Sequence, residues 1–456
     1  MGDVRRSRGG HLLLSAGRQP AAEGDGQFHS VSRLGFRAAV PAVRRAGDQI
    51  RNLAVFRFYQ LCHDIDKEGR DVKILLVCSD FPYPPNHGLR VDTWGRIKAL
   101  AELGCKLHLV VCGKQRPGDA DIKAVGDYVE EIVLCPRRSK LADALRLVPM
   151  QAQSRAELGR IPLADDYDYV LLEGDYVYPI LNNPRIRRER AILRVHNDEA
   201  VYFKALARSA TSLLHKLYYR MESGKFAALQ RKMRSRIDKY LFISSKEFER
   251  FRALDPAAQS QFLPPPVDGE AFRPGTFRTR HVVFVGSLFM PNNREAIEWY
   301  LAHIHPGLLD VPGYRFVVAG NSRNQSLGWL EAYDLTNVDV HDTPASLEDI
   351  YANGYLFVNP MRNGAGVKLK TIEAIQNGLP VVSTSVGCEG TGLIDGEHML
   401  LADEPRHFLG HIKTLLADPI KAQALLEASQ HFIRGQYDHK EVLRRYLQSL
   451  NAKLSS

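Results

Sequence analysis

The stretch Tyr355–Gly390, YLFVNPMRNGAGVKLKTIEAIQNGLPVVSTSVGCEG, constrains this chain more than any other. It opens with an apolar, β-rich run from Tyr355 to Val358, which reads as a buried strand stopped by Asn359-Pro360. A loop follows, with Gly364 and Gly366 on either side of Ala365. Leu369, Ile372, Glu373 and Ile375-Gln376 then recur at helical spacing, Gly378 stands where that helix should end, and Leu379 to Val382 reads as the next strand. The result is a βαβ unit whose glycine loop feeds a helix start, where free N–H groups and the helix dipole bind anions. Lys368 and Lys370 sit on the first turn and oppose that dipole, so a phosphate is expected between them. Glu373, one turn on, is suited to accept hydrogen bonds from sugar hydroxyls. On spacing alone a plain βα turn that binds nothing stays open, because short glycine motifs are common.

The string GAGVKLKTIEAIQNGLPVVSTSVGCEG also resembles the donor-site signature of the family 4 retaining glycosyltransferases. That resemblance implies an α/β chain of GT-B architecture, with two Rossmann-like doubly wound domains facing each other across a cleft. It implies that the loop Gly364, Ala365, Gly366 and Val367 cradles the donor diphosphate with Lys368 and Lys370, and that Glu373 binds the ribose hydroxyls. Many members carry a glutamate at the position of Ala365; this chain does not. The resemblance covers roughly residues 72–450 and is clearest over 281–393.

Upstream, VKILLVCSD from Val72, a loop, a helix with Ile97, Leu100 and Ala101 on its apolar face, and KLHLVVCG make a first Rossmann-type unit. Ligands are expected at the carboxyl ends of its strands. In the resembled family this loop meets acceptor and donor sugar; here it offers Gly88, the survivor of a usual glycine pair, and Arg90, with a plain βα turn as the alternative. Further strands are expected at Glu131–Leu134, Tyr169–Leu172 and Ala191–Val195, the last running into RVHNDEA. A polar cluster after a buried strand belongs at the crevice, so His196 is the main first-domain candidate and Asn197 and Glu199 accompany it. The resemblance implies a hydrogen bond from this histidine to the donor sugar. His196, Lys368 and Glu373 form the expected catalytic set.

Phe203–Tyr240 reads as one long helical stretch, with Leu214, Leu217, Met221, Leu229, Met233 and Ile237 on one face. Residues 201–240 carry ten Lys/Arg against two acidic residues, close to the whole chain's excess of +9. Two readings follow: a core-packed helix with a solvated basic face, or peripheral contact of 204–239 with an anionic membrane surface or a lipid-linked acceptor. Nucleic acid is not expected, since no aromatic-interleaved basic patch accompanies the charge. KYLFISSKEFERF is a strand followed by a Ser244-x-x-Glu247 capping box, and FLPPPVDGEAFRP a stiff connector that resembles the family's hinge. HVVFVGSLFMPNNREAIEWY opens the second domain. The resemblance places its glycine loop, Gly286 and Ser287, under the phosphates; where many members have basic residues this chain has Asn292, Asn293 and Arg294.

The expected organisation is therefore a 1–70 extension, disordered over its first 50 residues; a 71–265 acceptor-side domain; a 275–435 donor domain; and a 436–456 helix crossing back. The six cysteines, Cys62, Cys78, Cys105, Cys112, Cys135 and Cys388, have no zinc-like spacing, and no apolar run is long enough to span a bilayer. A cytoplasmic protein is expected, peripheral on the inner membrane face under the second of the two readings of 204–239. No Asp-x-Asp pair stands at the carboxyl end of a strand, so neither a metal nor a cofactor is expected beyond the nucleotide-diphosphate sugar donor. The expected reaction is sugar transfer to the hydroxyl of a carbohydrate or lipid-linked acceptor with retention, in polysaccharide or glycoconjugate synthesis. A GT-B sugar-nucleotide epimerase and a non-catalytic nucleotide-sugar-binding protein stay open. A nicotinamide oxidoreductase does not fit, because neither domain has G-x-G-x-x-G after its first strand.

Overall fold

A computed structural model describes residues 71–85, 88–138, 143, 146–163, 166–210, 212–267, 272–364 and 366–454, together with the strand His29–Ser32. Two sheets with helices on both faces form the two halves of the chain. The first contains β1 (His29–Ser32), β2 (Lys73–Cys78), β3 (Lys106–Gly113), β4 (Glu131–Pro136), β5 (Tyr169–Glu173), β6 (Ala191–Val195), β7 (Lys239–Phe242) and β8 (Gln259–Phe262). Its order is β1-β4-β3-β2-β5-β6-β7-β8, parallel except for β1, which pairs antiparallel with β4. That strand lies within the stretch expected to be disordered; the rest of 1–70 is outside the described residues.

The second sheet contains β9 (Arg280–Val285), β10 (Tyr314–Gly320), β11 (Val338–Asp342), β12 (Leu356–Asn359), β13 (Val381–Ser383) and β14 (Leu400–Leu401). It is wholly parallel, in the order β11-β10-β9-β12-β13-β14. Parallel sheets are covered on both faces, so their strands read as near-continuous apolar runs. Val77 and Leu75 of β2 pack into one core, while Ile74, Leu76 and Cys78 pack into another on the opposite face. In β9, Val282 and Phe284 divide from Val283 and Val285 in the same way.

Strand order reverses between β2 and β5 in one sheet and between β9 and β12 in the other. Such switch points open crevices at the carboxyl ends of the strands. The segment beyond β2 and the 173–175 turn meet at the first, and the Gly286 and Gly364–Gly366 loops meet at the second. The chain closes with the helix His439–Leu454, whose Val442, Leu443, Tyr446, Leu447 and Leu450 join the first domain's core.

Two local expectations are corrected. Phe203–Tyr240 is not one helix: helices Glu199–Ser209 and Leu213–Arg234 are broken at Ala210, which is extended (φ −65°, ψ 133°), and Tyr240 lies in β7. The two helices pack on each other as a hairpin, burying Phe203 against Phe226 in a stacked pair 5.2 Å apart. The capping box does not close either. Ser244 makes no side-chain cap bond, and the Glu247 carboxylate instead accepts from the Asp198 amide at 3.1 Å.

The helix Gly88–Glu102 approaches the hinge so closely that a Cβ on Gly95 would stand 2.3 Å from Pro266 Cγ. In an ordinary helix, Gly→Ala stabilises by roughly 0.5–1 kcal/mol. Here the proline ring cannot swing away, so Gly95→Ala should destabilise by about 1–3 kcal/mol through overpacking. The sign of the shift in the urea midpoint is the check.

Candidate active site

The glycine loop is fastened from below. Asn359, at the end of β12, donates through Nδ2 to Thr371 Oγ1 at 2.9 Å and to the Gly387 carbonyl at 2.6 Å, locking the strand end to the helix Leu369–Gln376. Between them Gly364 and Gly366 take φ values of 124° and 88°, which L side chains rarely adopt. Ala365 is outside the described residues.

Two lysines follow this loop, Lys368 at the N-cap of the helix and Lys370 in its first turn. Lys368 is buried and donates to the carbonyls of Gly364 (3.2 Å) and Gly366 (2.7 Å). Lys370 donates to Asn293 Oδ1 at 2.5 Å, over the Phe284 ring, and Asn293 in turn donates to the Ser287 carbonyl. A Cβ on Gly286 would lie 2.9 Å from Lys370 Nζ, so the Gly286–Ser287 turn packs directly on this ammonium. Asn292 sits beside Gly364. Burial, then the neighbouring charge of Lys368, pushes the Lys370 pKa down to about 7; burial also lowers that of Lys368. Among the described residues the carboxylate in ion-pair range of these lysines is Glu389, 4.0 Å from Lys368, so two partly desolvated cations stand together with little carboxylate compensation, an arrangement suited to an anion. Glu373 is partly open to solvent one turn on, and partial burial of its carboxylate raises its pKa against a hydrogen bond with Tyr351.

Across the cleft, the first domain supplies a buried charge network that the sequence does not announce. Arg96 binds Glu173 Oε1 at 2.8 Å and Oε2 at 2.6 Å, and Asp92 Oδ2 at 2.9 Å. Arg194 binds Asp92 at 3.1 and 2.8 Å and donates to the Leu263 carbonyl in the hinge. His439, from the last helix, contacts the next hinge carbonyl, Pro264. His196 stands against this network, with Nε2 3.2 Å from Glu173 Oε2 and Nδ1 3.6 Å from Asp92 Oδ2. Burial alone would raise the Glu173 carboxyl, but the charge of Arg96 and hydrogen bonds from His196 and Arg96 hold it down to about 2. Burial opposes ionisation of Asp92 as well, and Arg194 and Arg96 hold it far below the carboxylate range. Asp92, Glu173 and His196 bring ligand atoms within 4.8 Å of one another. Both carboxylates are already neutralised by guanidinium groups, so the trio is a poor seat for a cation.

Gly88, His196, Asn197 and Glu199 from the first domain and Gly366 and Val367 from the second line one cleft of about 320 Å³, together with Glu173, Gly174, Asp175 and Tyr176. Glu199 accepts from Tyr176 Oη at 2.8 Å, and burial raises its pKa to about 7. Burial likewise lifts Asp175 to about 6. Arg90 does not line this cleft: Asp80 holds it at 2.8 and 3.2 Å in a crevice behind Leu89. Glu373 and Asn292 also lie off the cleft wall. Sequence reasoning missed Asp92, Arg96, Glu173, Asp175 and Arg194. The one available signal was Glu173-Gly174-Asp175, a polar turn directly after a buried strand.

Two facing Rossmann-like domains with a cleft between them, walled on one side by the glycine loop, define a GT-B protein. Residues 279–418 match the family described as Glycosyl transferases group 1. A 44.6 kDa protein in the cps region of Klebsiella pneumoniae is 35% identical over 384 residues, covering 81% of this chain and 97% of that protein. The chain belongs to the group 1 glycosyl transferases. Among solved structures it is similar in fold to the sucrose-phosphate synthase of Thermosynechococcus elongatus, with a TM-score of 0.57 at 15% identity over 84% of this chain and 99% of that one. It is similar also to Anabaena HepE in complex with UDP-glucose, with a TM-score of 0.51 at 12% identity over 83% and 99%.

Proposed function

We propose that the cleft moves a sugar from a nucleotide-diphosphate donor to a hydroxyl acceptor, with retention of anomeric configuration and without a metal ion. The observation that carries this reading is the glycine loop, whose Gly366 and Val367 face His196 and Glu199 across a single cleft, backed by the buried Lys368 and the half-buried Lys370 just behind it. The bond from the anomeric carbon to the diphosphate breaks, and its electron pair leaves on the diphosphate oxygen. Lys370, Lys368 and the amides at the start of the helix Leu369–Gln376 stabilise that charge, preorganised and shielded from water. The acceptor hydroxyl forms the new bond, and its proton passes to the departing diphosphate. Glu373 holds the ribose, while His196, Asn197 and Glu199 meet the donor sugar. Any bond from His196 to that sugar uses a ring nitrogen shared with Glu173 or Asp92. The UDP-glucose in the HepE structure supports the donor class, and the cps-region relative supports a role in polysaccharide assembly.

A thermal-shift panel of UDP, GDP, ADP, TDP and NAD tests the donor site. One diphosphate at about 100 times its Kd should stabilise by about 2.7 kcal/mol, and Glu373→Ala should abolish the shift. Transfer of radiolabelled sugar then tests the reaction. Because only the protonated Lys370 attracts phosphate, diphosphate affinity should be full below pH 7 and fall as pH rises through about 7. Calorimetric titration at several pH values reads this. A shift with NAD alone overturns the assignment.

A further inference from the structure

The helix Leu213–Arg234 is apolar on two different surfaces. Its second half buries Phe226, Leu229 and Met233 in the first domain's core. Its first half leaves that core and carries its apolar side chains into solvent: Leu213 is 83% exposed, Leu214 80% and Leu217 68%, with Met221 following. Val201 and Tyr202 on the preceding helix are exposed too. Three nearly bare leucines within five residues are not the scattered surface apolar residues that need no explanation.

The charges around them have one sign. Between residues 200 and 237 there are nine Lys/Arg and a single acidic residue, Glu222. Glu222 is buried, held by Lys225 at 2.9 Å and by the Met150 amide at 2.8 Å, and so lends the surface no negative charge. Lys204, Arg208, Arg220, Arg231, Lys232 and Arg234 are all exposed.

We propose that this hairpin docks the protein on an anionic lipid bilayer, with Leu213, Leu214 and Leu217 entering the acyl boundary and the surrounding Lys and Arg side chains meeting lipid phosphates. The occupant follows from combining the two features. A second copy of the chain would cover the leucines, but a two-fold contact would press two identical basic rims together. A polyanion such as nucleic acid would satisfy the rim and leave the leucines in water. An anionic bilayer satisfies both at once. Among the described residues no helix is long and apolar enough to cross a membrane, so the hairpin lies on the surface.

The same hairpin also borders the site. Val201, Lys204, Ala227, Arg231 and Arg234 of the hairpin wall a cavity of about 470 Å³ floored by Leu193, Tyr240 and Phe242. Asp175 lines both this cavity and the cleft. This cavity thus adjoins the reaction centre at the base of the hairpin whose leucine-bearing end is seated, and the hydroxyl acceptor of the docked protein is then lipid-linked. Only that last link rests on the proposed transfer reaction; the docking is read without any activity.

The test is co-sedimentation of the full chain with vesicles of phosphatidylcholine alone or with about a third phosphatidylglycerol. The wild type should partition at least about tenfold more strongly onto the anionic vesicles, and added salt should weaken it. The variant Leu213→Ser/Leu214→Ser/Leu217→Ser should lose at least about tenfold of that binding with its Tm unchanged, since these side chains hold no core contact. Lys204→Gln/Arg208→Gln/Arg220→Gln, which spares every leucine, should abolish the preference for anionic lipid. Equal partition onto both vesicles, or binding unaltered in both variants, overturns the proposal. So does a wild-type dimer in sizing chromatography that the serine variant converts to monomer, which would assign the patch to a second copy.

Discussion

Asp92→Ala should be the most damaging single replacement in the first domain, lowering its stability by about 3–5 kcal/mol. Asp92 and its partners Arg96 and Arg194 are all fully buried, and the change strands two guanidinium groups beside one remaining carboxylate, Glu173. Arg96 already has one buried nitrogen, Nη1, without a hydrogen-bond partner, so the network has no spare acceptor to absorb the loss. Arg194 and His439 also hold the consecutive hinge carbonyls of Leu263 and Pro264. The damage should therefore reach the hinge and the orientation of His196. Urea unfolding followed by first-domain tyrosine and tryptophan signals is the check; a loss under about 1 kcal/mol would show that the network relaxes or takes up water.

Lys370→Met should produce the opposite pattern, lost function with retained stability. Its ammonium is largely desolvated and sits beside Lys368, so removing it relieves a buried like charge and should leave Tm the same or higher. Transfer should nevertheless fall about 10²–10³-fold, the range for loss of one preorganised group facing developing negative charge. The residual rate should also lose the decline expected as pH rises through about 7. An unchanged rate with a lowered Tm would make Lys370 a structural lysine.

Much of the donor half could be read directly. The Tyr355–Gly390 unit appears as β12, a loop with Gly364 and Gly366 at positive φ, the helix Leu369–Gln376 and β13, within a residue or two of expectation. Each step there is local: apolar periodicity, a glycine at a turn and a helix start. The acceptor half was less legible. Leu214, Leu217 and Met221 have the same spacing as Leu229 and Met233, yet the first three face water and the last two the core. Spacing reports which residues share a face, not what that face meets. Arg90 was chosen for its place in a loop, and only the fold shows that Asp80 holds it away from the cleft.

By itself the sequence determined two doubly wound α/β halves, a Pro-rich joint between them and a glycine loop opening a helix beside two lysines. These follow from interactions among residues a few positions apart, which propensity and periodicity record. Tertiary structure alone decided which charges meet. Arg96 reaches Glu173 across 77 positions and Arg194 reaches Asp92 across 102, because the sheet order sets β5 beside β2 and β6 beside β5. No local pattern encodes a partner that distant. Burial then makes the pairing energetically decisive, since a charge removed from water must be matched by whatever the fold has placed next to it.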